Sequence, residues 1–172
     1  MKISLMLCLG LCTLFSLSCT SDSQPVYATG VKVQKWHEAQ IAADAFRGVN
    51  GLRAEKGLAP LQRVRTLDKL AATHNVAMNR QASPYELPIP ISHDGGNERA
   101  QKTFALGHTS YGENVAGIRG FTSHEAGPRI TKGWKNSTSH YKTLMSRYTY
   151  TGIAVFVNES DGTIYATQLF AN

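Results

Sequence analysis

The chain has few cysteines, and their positions exclude a disulfide framework in its main body. All three (Cys8, Cys12 and Cys19) lie near the start of the 172 residues. Exported domains with too small a core are usually held together by disulfides. The rest of this chain must instead bury a hydrophobic core of its own. Its length is sufficient for one such domain, and a second independent domain is not expected.

The sequence also lacks the short motifs of several enzyme classes. It contains no glycine-rich nucleotide loop, no cysteine cluster with metal-ligand spacing, no nucleophile elbow and no His-Glu-x-x-His pair. Ser137 and Ser139 lie close to His140 along the chain, but no third partner identifies a hydrolase triad. Nucleotide-dependent enzymes, zinc fingers, triad hydrolases and zincin metalloproteases therefore gain no support.

Positive charge is in modest excess and is not concentrated in any one segment. The formal net charge is +6, from 18 lysines and arginines against 12 aspartates and glutamates. The basic residues are spread along the chain without a dense block. Proteins that bind nucleic acid usually cluster such residues on one face. We therefore expect a solvated surface and no nucleic-acid partner.

Long apolar runs are absent except at the start of the chain. Lys2 precedes a mostly apolar run from Ile3 to Leu17, which is too short to span a bilayer and is typical of an export signal. Two processing routes fit: cleavage near Ser18, or lipidation of Cys19 as the first residue of a bacterial lipoprotein. The expected organisation is a signal peptide over 1–19, a polar tether over 20–34 and a folded domain over 35–172.

Helical spacing dominates most of the expected domain. Apolar residues recur at three- and four-residue steps, and His74 falls on one such apolar face, which indicates a hydrogen-bonded core histidine. Thr66 and Asn97 are expected N-caps, and segment 120–127 is expected to be a loop. Helices are predicted over four segments: 35–56, 66–78, 97–106 and 128–136.

The helical spacing of apolar residues gives way to a strand-like pattern at the end of the chain. Two runs of β-branched and aromatic residues, 150–157 and 163–170, flank a turn-forming segment from Asn158 to Gly162. This pattern predicts a β-hairpin. Helices followed by an antiparallel hairpin, without a βαβ rhythm, predict an α+β fold in which helices pack on an antiparallel sheet.

Three segments place a titratable side chain beside small or turn-forming residues. His93 lies in a glycine-flanked loop, and Glu113 stands between Gly112 and Asn114, whose types favour tight backbone geometry. His140 follows a predicted helix end rich in hydroxyl residues. Taken singly, each has a plain structural reading: a surface histidine, a solvated turn carboxylate and a helix-end cap.

Taken together and in order, these segments resemble the CAP superfamily (cysteine-rich secretory proteins, antigen 5 and pathogenesis-related 1 proteins) in its bacterial, disulfide-free branch. The resemblance runs from about residue 39 to residue 170. The motifs that carry it are Asn50 and Arg53 before a Gly-Leu-x-Pro-Leu turn, Ser92-His93, Gly112-Glu113-Asn114, Trp134-x-x-Ser137-x-x-His140 and Thr151-Gly152-Ile153.

The resemblance implies a three-layer α-β-α sandwich with a central antiparallel sheet. It also implies a cleft lined by two histidines and one or two acidic residues, which in several members holds a divalent metal, often zinc. By position, His93, Glu113 and His140 would line that cleft and would be the metal ligands. Asn114 and Ser137 would lie beside them.

The chain departs from the eukaryotic pattern of this family in two places. Asn136 and Ser137 stand where many members carry a second glutamate, and no histidine follows His140. A complete His-Glu-Glu-His set is therefore not expected. Three functions stay open: a module that binds a lipid-like molecule, an envelope component or a protein, a hydrolase that uses zinc or another divalent metal, and a structural envelope protein. Membrane contact is expected only through a lipid anchor at Cys19.

Overall fold

A computed structural model describes residues 36–172. The expected signal peptide, the tether and the lipidation site at Cys19 lie outside the described residues. The described part contains helices α1 to α5 and strands β1 to β4. In chain order these are α1 (Glu38–Ala54), β1 (Gln62–Arg63), α2 (Arg65–Gln81), α3 (Gly96–Ala105), β2 (Tyr111–Arg119), α4 (Ser123–Asn136), α5 (Thr138–Leu144), β3 (Tyr150–Asn158) and β4 (Thr163–Ala171).

The four strands form one sheet in the order β1-β3-β4-β2. The predicted hairpin is confirmed as β3 and β4, which pair antiparallel with Tyr150 opposite Ala171. Strand β2 pairs antiparallel with the other side of β4, with Glu113 opposite Leu169. The two-residue β1 pairs in parallel with β3. Strand β2 is therefore an edge of the sheet, and the candidate site lies on this edge.

Helices cover both faces of the sheet, as the alternation of side chains along β4 shows. Ile164 and Phe170 belong to the large core that includes residues of α1 and α4. On the opposite face, Tyr165 packs with Met78 of α2, and Leu169 packs with Ala71 of α2. The three-layer α-β-α sandwich implied by the resemblance is thus confirmed.

Several local predictions about helix ends are wrong. Val64 and Gly95 occupy the N-cap positions expected for Thr66 and Asn97. Helix α4 begins at Ser123, within the segment expected to be a loop. The Glu125 carboxylate explains this early start, since it accepts hydrogen bonds from the backbone N–H and the hydroxyl of Thr122.

Three elements, the short β1, β2 and α5, were not predicted. Residues 111–119 form β2, so Glu113 has an extended backbone instead of the tight turn that its neighbours suggested. His140 follows the predicted end of α4 at Asn136, but it lies within a further short helix, α5. Among residues 36–172, no helix has both the length and the apolar character that crossing a membrane requires.

Candidate functional site at the free edge of the sheet

The Glu113 carboxylate is the centre of the site. Its side chain is 4% exposed and its two oxygens accept four hydrogen bonds. Oε1 accepts from Nδ1 of His93 and from Nη2 of Arg99, both at 2.8 Å. Oε2 accepts from Nε of Arg99 and from the Tyr111 hydroxyl, both at 2.6 Å. A carboxylate offers about four lone-pair directions, and here each has a donor.

These donors fix the ionisation state of Glu113. Burial opposes ionisation, but the hydrogen bonds from Arg99, Tyr111 and His93 together lower the pKa of the Glu113 carboxyl. Burial and the neighbouring carboxylate raise the pKa of Tyr111, so its hydroxyl remains a donor. An ionised carboxylate only accepts, so His93 must carry a proton on Nδ1. In the neutral imidazole the lone pair is then on Nε2.

Three elements bring these side chains together. Tyr111 and Glu113 are two residues apart on β2, so they point to the same face of the strand. Arg99 projects from α3, and its Nη1 donates to the carbonyl of Asp94 at 2.7 Å. His93 precedes Asp94 in the loop before α3 and is 56% exposed. The carboxylate is therefore buried while the imidazole that it holds faces solvent.

His74 holds the loop that carries His93. Its Nε2 lies 2.8 Å from the carbonyl oxygen of Ser92, and its side chain is buried on α2. The prediction of a hydrogen-bonded core histidine is confirmed. Burial lowers the pKa of His74, and the hydrogen bond to Ser92 opposes this in part. Arg99 and His93 lower the pKa further, and Glu113 raises it.

The lowered pKa of His74 makes stability depend on pH. The unfolded chain takes up a proton on this residue near pH 6.5, whereas the folded chain does so only at lower pH. The free energy of unfolding should therefore fall as the pH drops below about 6.5. Urea unfolding of wild type and His74→Gln at pH 8 and pH 5 measures this, with exposed His37→Gln as the control. An equal acid loss in wild type and His74→Gln would contradict the assignment.

The other predicted residues cluster around α5. His140 is half-buried, and burial followed by repulsion from His93 lowers its pKa. The buried Asn114 donates from Nδ2 to the His140 carbonyl at 3.2 Å. Ser137 occupies the N-cap position of α5, and its Oγ lies 3.2 Å from Oγ of Ser139. The two serines contact each other and neither is hydrogen-bonded to His140 in the described part of the chain.

Four of the predicted residues are divided between two cavities, and the buried Asn114 lines neither. His93 and Glu113 line a cavity of about 680 Å³, together with the first turn of α3. Ser137 and His140 line a second, groove-shaped cavity of about 400 Å³ between β2 and α4. We call this second cavity the apolar groove. Six apolar side chains line it. Val115, Ile130 and Trp134 form its buried floor, and Ile91, Ala116 and Ile118 are at least partly exposed.

The arrangement of side chains does not fit a metal ion. Within residues 36–172, no three His, Cys, Asp or Glu side chains are positioned to share one ion. The four donors around Glu113 leave no lone pair for a metal, and Arg99 already balances its charge. His93, Glu113 and His140, the ligands implied by the resemblance, are therefore not arranged as a ligand set.

Sequence reasoning missed Arg99 and Tyr111, which complete the site. Tyr111 could have been found from the period of two along a strand, had 111–119 been identified as a strand. Arg99 lies 14 residues from Glu113 on a different element. No local pattern marks it, because its pairing with Glu113 arises only when α3 packs beside β2.

Solved structures show the same fold. A cysteine-rich secretory protein of Staphylococcus aureus has a TM-score of 0.59 at 19% identity, over 78% of this chain and 39% of that one. An outer surface protein of Borrelia burgdorferi has a TM-score of 0.59 at 18% identity, over 80% and 98%. The structure of NaASP2 with Zn²⁺ has a TM-score of 0.53 at 13% identity, over 76% and 78%. At these identities the likeness establishes the fold alone.

The sequence itself identifies the family. A comparison with curated proteins gives no match. The family model of CAP, the cysteine-rich secretory protein family, matches residues 46–170. That range includes the site residues His93, Glu113 and His140 and all four strands except the last residue of β4. The family match therefore agrees with the observed fold and with the motifs. The chain therefore belongs to the CAP family of cysteine-rich secretory proteins.

Proposed function

We propose that this protein is an extracytoplasmic binding module that holds a lipid-like ligand in the apolar groove beside His140. The observation that carries the proposal is the composition of this groove. Apolar side chains of β2, α4 and the loop before α3 line it, together with the polar side chains of Ser137 and His140. Small-molecule sites are typically concave and mostly apolar, with a few polar groups that fix orientation.

The charges around the groove favour a ligand with an anionic or polar end. Arg129 and Lys132 of α4 line it, and no acidic residue of the described chain does. The Arg129 guanidinium stacks over the ring of Phe121 at 5.2 Å, which limits its freedom to move. An acyl chain would cover the exposed Ile91 side chain, and its carboxylate or head group would meet these cations.

The proposed location is outside the cytoplasm. It is supported by the family's secreted and surface proteins, among them the outer surface protein of Borrelia burgdorferi, and by the export signal predicted in residues 1–19. Lipidation at Cys19 would tether the domain to a membrane. A lipid-binding groove on such a tethered domain would lie within reach of its ligand.

The site's chemistry gives no support to a metal-dependent hydrolase in the same cleft. Glu113 would have to act as a ligand or as a base, and its four hydrogen bonds leave it unable to do either without rearrangement. We therefore propose binding as the function. Envelope polymers and proteins are the other partners to test.

A substitution that fills the groove tests the proposal. Gly133 lines the groove from α4, and a Cβ placed there meets no atom within 4 Å. We expect Gly133→Leu to fold normally and to weaken binding about tenfold or more, a loss of roughly 1.4 kcal/mol. The measurement is uptake of a fluorescent long-chain fatty acid from phosphatidylcholine vesicles.

The matched control is Gly51→Leu on α1. Gly51 is exposed, lies in a helix and would likewise have no atom within 4 Å of an added Cβ. This variant should bind the fatty acid as the wild type does. Equal uptake by wild type and Gly133→Leu would contradict the groove as the site. No uptake by folded wild type would direct the search to envelope polymers and proteins.

A further inference from the structure

A further cavity, of about 540 Å³, lies at the end of β2 that is remote from Glu113. Three aromatic residues from different segments line it: Trp36 before α1, Tyr85 between α2 and α3, and Phe121 before α4. Arg119, the last residue of β2, also lines it, about 20 Å from Glu113 along the strand. None of the described residues lines both this cavity and the apolar groove. We call it the aromatic cavity.

Tyr85 is held with its ring exposed. The residue is 66% exposed, and its φ of 60° lies in the left-handed region that residues other than glycine rarely adopt. Its N–H donates to Oδ2 of Asp161 at 3.2 Å, and its hydroxyl donates to the carbonyl of Ser160 at 3.3 Å. The Arg119 guanidinium covers one face of the ring, 5.6 Å from its centroid. Because these contacts hold the ring, a ligand on its open face would pay little for ordering it.

The other two rings are also fixed. Nε1 of Trp36 donates to the carbonyl of Phe121 at 3.3 Å, and both side chains pack against the main core. Gly162, in the turn between β3 and β4, has a φ of 71°, and a Cβ there would lie 3.4 Å from the indole of Trp36. The glycine therefore leaves this side of the indole free of a neighbouring side chain.

Charged groups lie among these rings. The Asp161 side chain is 3% exposed, and its Oδ2 accepts from Nη2 of Arg119 at 3.1 Å. Nε of Arg119 donates to Oγ1 of Thr163 at 2.8 Å, while its Nη1 has no hydrogen-bond partner within residues 36–172. Glu159 lines the cavity from the turn after β3 and is exposed. A guanidinium donor and a carboxylate acceptor are thus available beside the rings.

This combination favours a neutral sugar over other classes of ligand. Two carboxylates against one guanidinium give the cavity a net negative charge, which disfavours fatty acids, phosphates and nucleic acids. No leucine, isoleucine, valine or methionine of the described chain lines it to cover an acyl chain. A pyranose has C–H groups on its face, which pack on aromatic rings, and hydroxyl groups at its edge, which pair with carboxylates and guanidinium groups.

We propose that the aromatic cavity binds a neutral pyranose glycan, with sugar rings on Trp36 and Tyr85 and hydroxyl groups bound by Arg119 and Glu159. Asp161 is a positioning residue, since it accepts from both Arg119 and the N–H of Tyr85. The volume of the cavity falls within the roughly 300–1,000 Å³ usual for small-molecule sites.

Titration of the full chain with neutral tetrasaccharides, followed by tryptophan fluorescence, tests this proposal. The probes are cellotetraose, maltotetraose, mannotetraose and chitotetraose, and wild type should bind at least one of them. The chain has two tryptophans. Trp134 is 1% exposed, so Trp36 is the indole that a sugar in the aromatic cavity can reach.

The variants separate the ring of Tyr85 from its hydroxyl. Tyr85→Ala should weaken binding about 5–10-fold, the effect of losing one aromatic contact. Tyr85→Phe keeps the ring and should bind as wild type does. Glu159→Gln should weaken binding about threefold or more through the loss of a charged acceptor. Phe104→Ala is the matched control, since Phe104 is 47% exposed and lies outside the cavity, and it should not change binding.

Four results would overturn the proposal: no binding of any of the four sugars by folded wild type, undiminished binding by Tyr85→Ala, an equal loss in Phe104→Ala, or binding of a proline-rich peptide without binding of a sugar. The peptide is titrated in parallel because aromatic-lined grooves also bind polyproline helices. Circular dichroism shows whether each variant is folded. If Tyr85→Ala is not, Glu159→Gln on its exposed turn decides the test, and unchanged binding there would overturn the proposal.

The inference is independent of the proposed lipid function. Gly133 lines the apolar groove and not the aromatic cavity, so Gly133→Leu should leave sugar binding unchanged. Tyr85 lines the aromatic cavity and not the groove, so Tyr85→Ala should leave fatty-acid uptake unchanged. A failure of either result therefore does not decide the other.

Discussion

Replacing Arg53 with methionine is expected to destabilise the fold by about 2–4 kcal/mol, because buried carbonyls that accept hydrogen bonds from its guanidinium lose their donor. Arg53 lies in the last turn of α1 and is 2% exposed. No acidic side chain within residues 36–172 pairs with it. Its guanidinium instead donates to four backbone carbonyls: Ala59 at 3.0 Å, Leu144 at 2.7 Å, Ser146 at 2.8 Å and Tyr148 at 3.1 Å.

These contacts join parts of the chain that no regular element connects. Arg53 ties the end of α1 to the segment between α5 and β3, where carbonyls lack partners from a helix or a sheet. Methionine fills a similar volume but donates nothing, so the buried Leu144 carbonyl loses its partner. Each buried polar group left unpaired costs about 1–3 kcal/mol, and some of the four carbonyls will regain water.

The measurement is urea unfolding followed by far-UV circular dichroism. Arg47→Met on the same helix is the matched control, because Arg47 forms an ion pair with Asp44 and is 64% exposed. Surface ion pairs contribute about 0–1 kcal/mol, so this variant should remain close to wild type. A loss below about 1 kcal/mol for Arg53→Met would show that water replaces the guanidinium without cost.

Arg53 also shows why sequence reasoning reached the fold but not all of the site. It was recognised as part of a motif, yet three of its partners lie 91 to 95 residues away, beyond any local pattern. The hairpin of β3 and β4 was predictable because its signal is local: two β-branched runs around one turn. Strand β2 was not, since Gly112 and Gly117 interrupt its pattern and its partner β4 lies about 50 residues later.

The candidate site likewise contains residues that local motifs could predict and a residue that they could not. The motifs pointed to His93 and Glu113, and the fold brings their side chains to 2.8 Å. They did not reveal that Arg99 occupies both Glu113 oxygens, because that contact depends on how α3 packs against β2. A motif specifies which residue types are present. Tertiary packing determines whether the carboxylate is free to bind a ligand or is paired with an arginine.

The largest effect of a single methyl group is expected at Gly152. This glycine lies on β3, in the Thr151-Gly152-Ile153 motif, where the first turn of α2 crosses the sheet. A Cβ at this position would overlap the backbone of Leu67 and Asp68. Backbone atoms cannot rotate away as a side chain can. Asp68 is also fixed there, since its Oδ1 accepts from the Ile153 N–H at 2.8 Å.

Gly152→Ala should therefore force α2 away from β3 and destabilise the protein by about 3 kcal/mol, at the upper end of the usual range for overpacking. Gly51→Ala on α1 is the control. It adds the same methyl group at a position where no atom lies within 4 Å of the new Cβ, so we expect it to raise stability and not to lower it. It should stabilise the protein by about 0.5–1 kcal/mol through its effect on helix propensity and the unfolded chain.

Thermal and urea unfolding of both variants gives the comparison. If Gly152→Ala stays within about 1 kcal/mol of wild type, overpacking of the usual size is absent and α2 and β3 are less tightly packed than the structure shows. If the two variants shift in opposite directions as expected, the glycine in this motif is explained by packing. Its role would then be to let α2 approach the sheet, and α2 carries His74, which holds the loop of His93. A motif remote from the cleft would in that way set the position of a cleft residue.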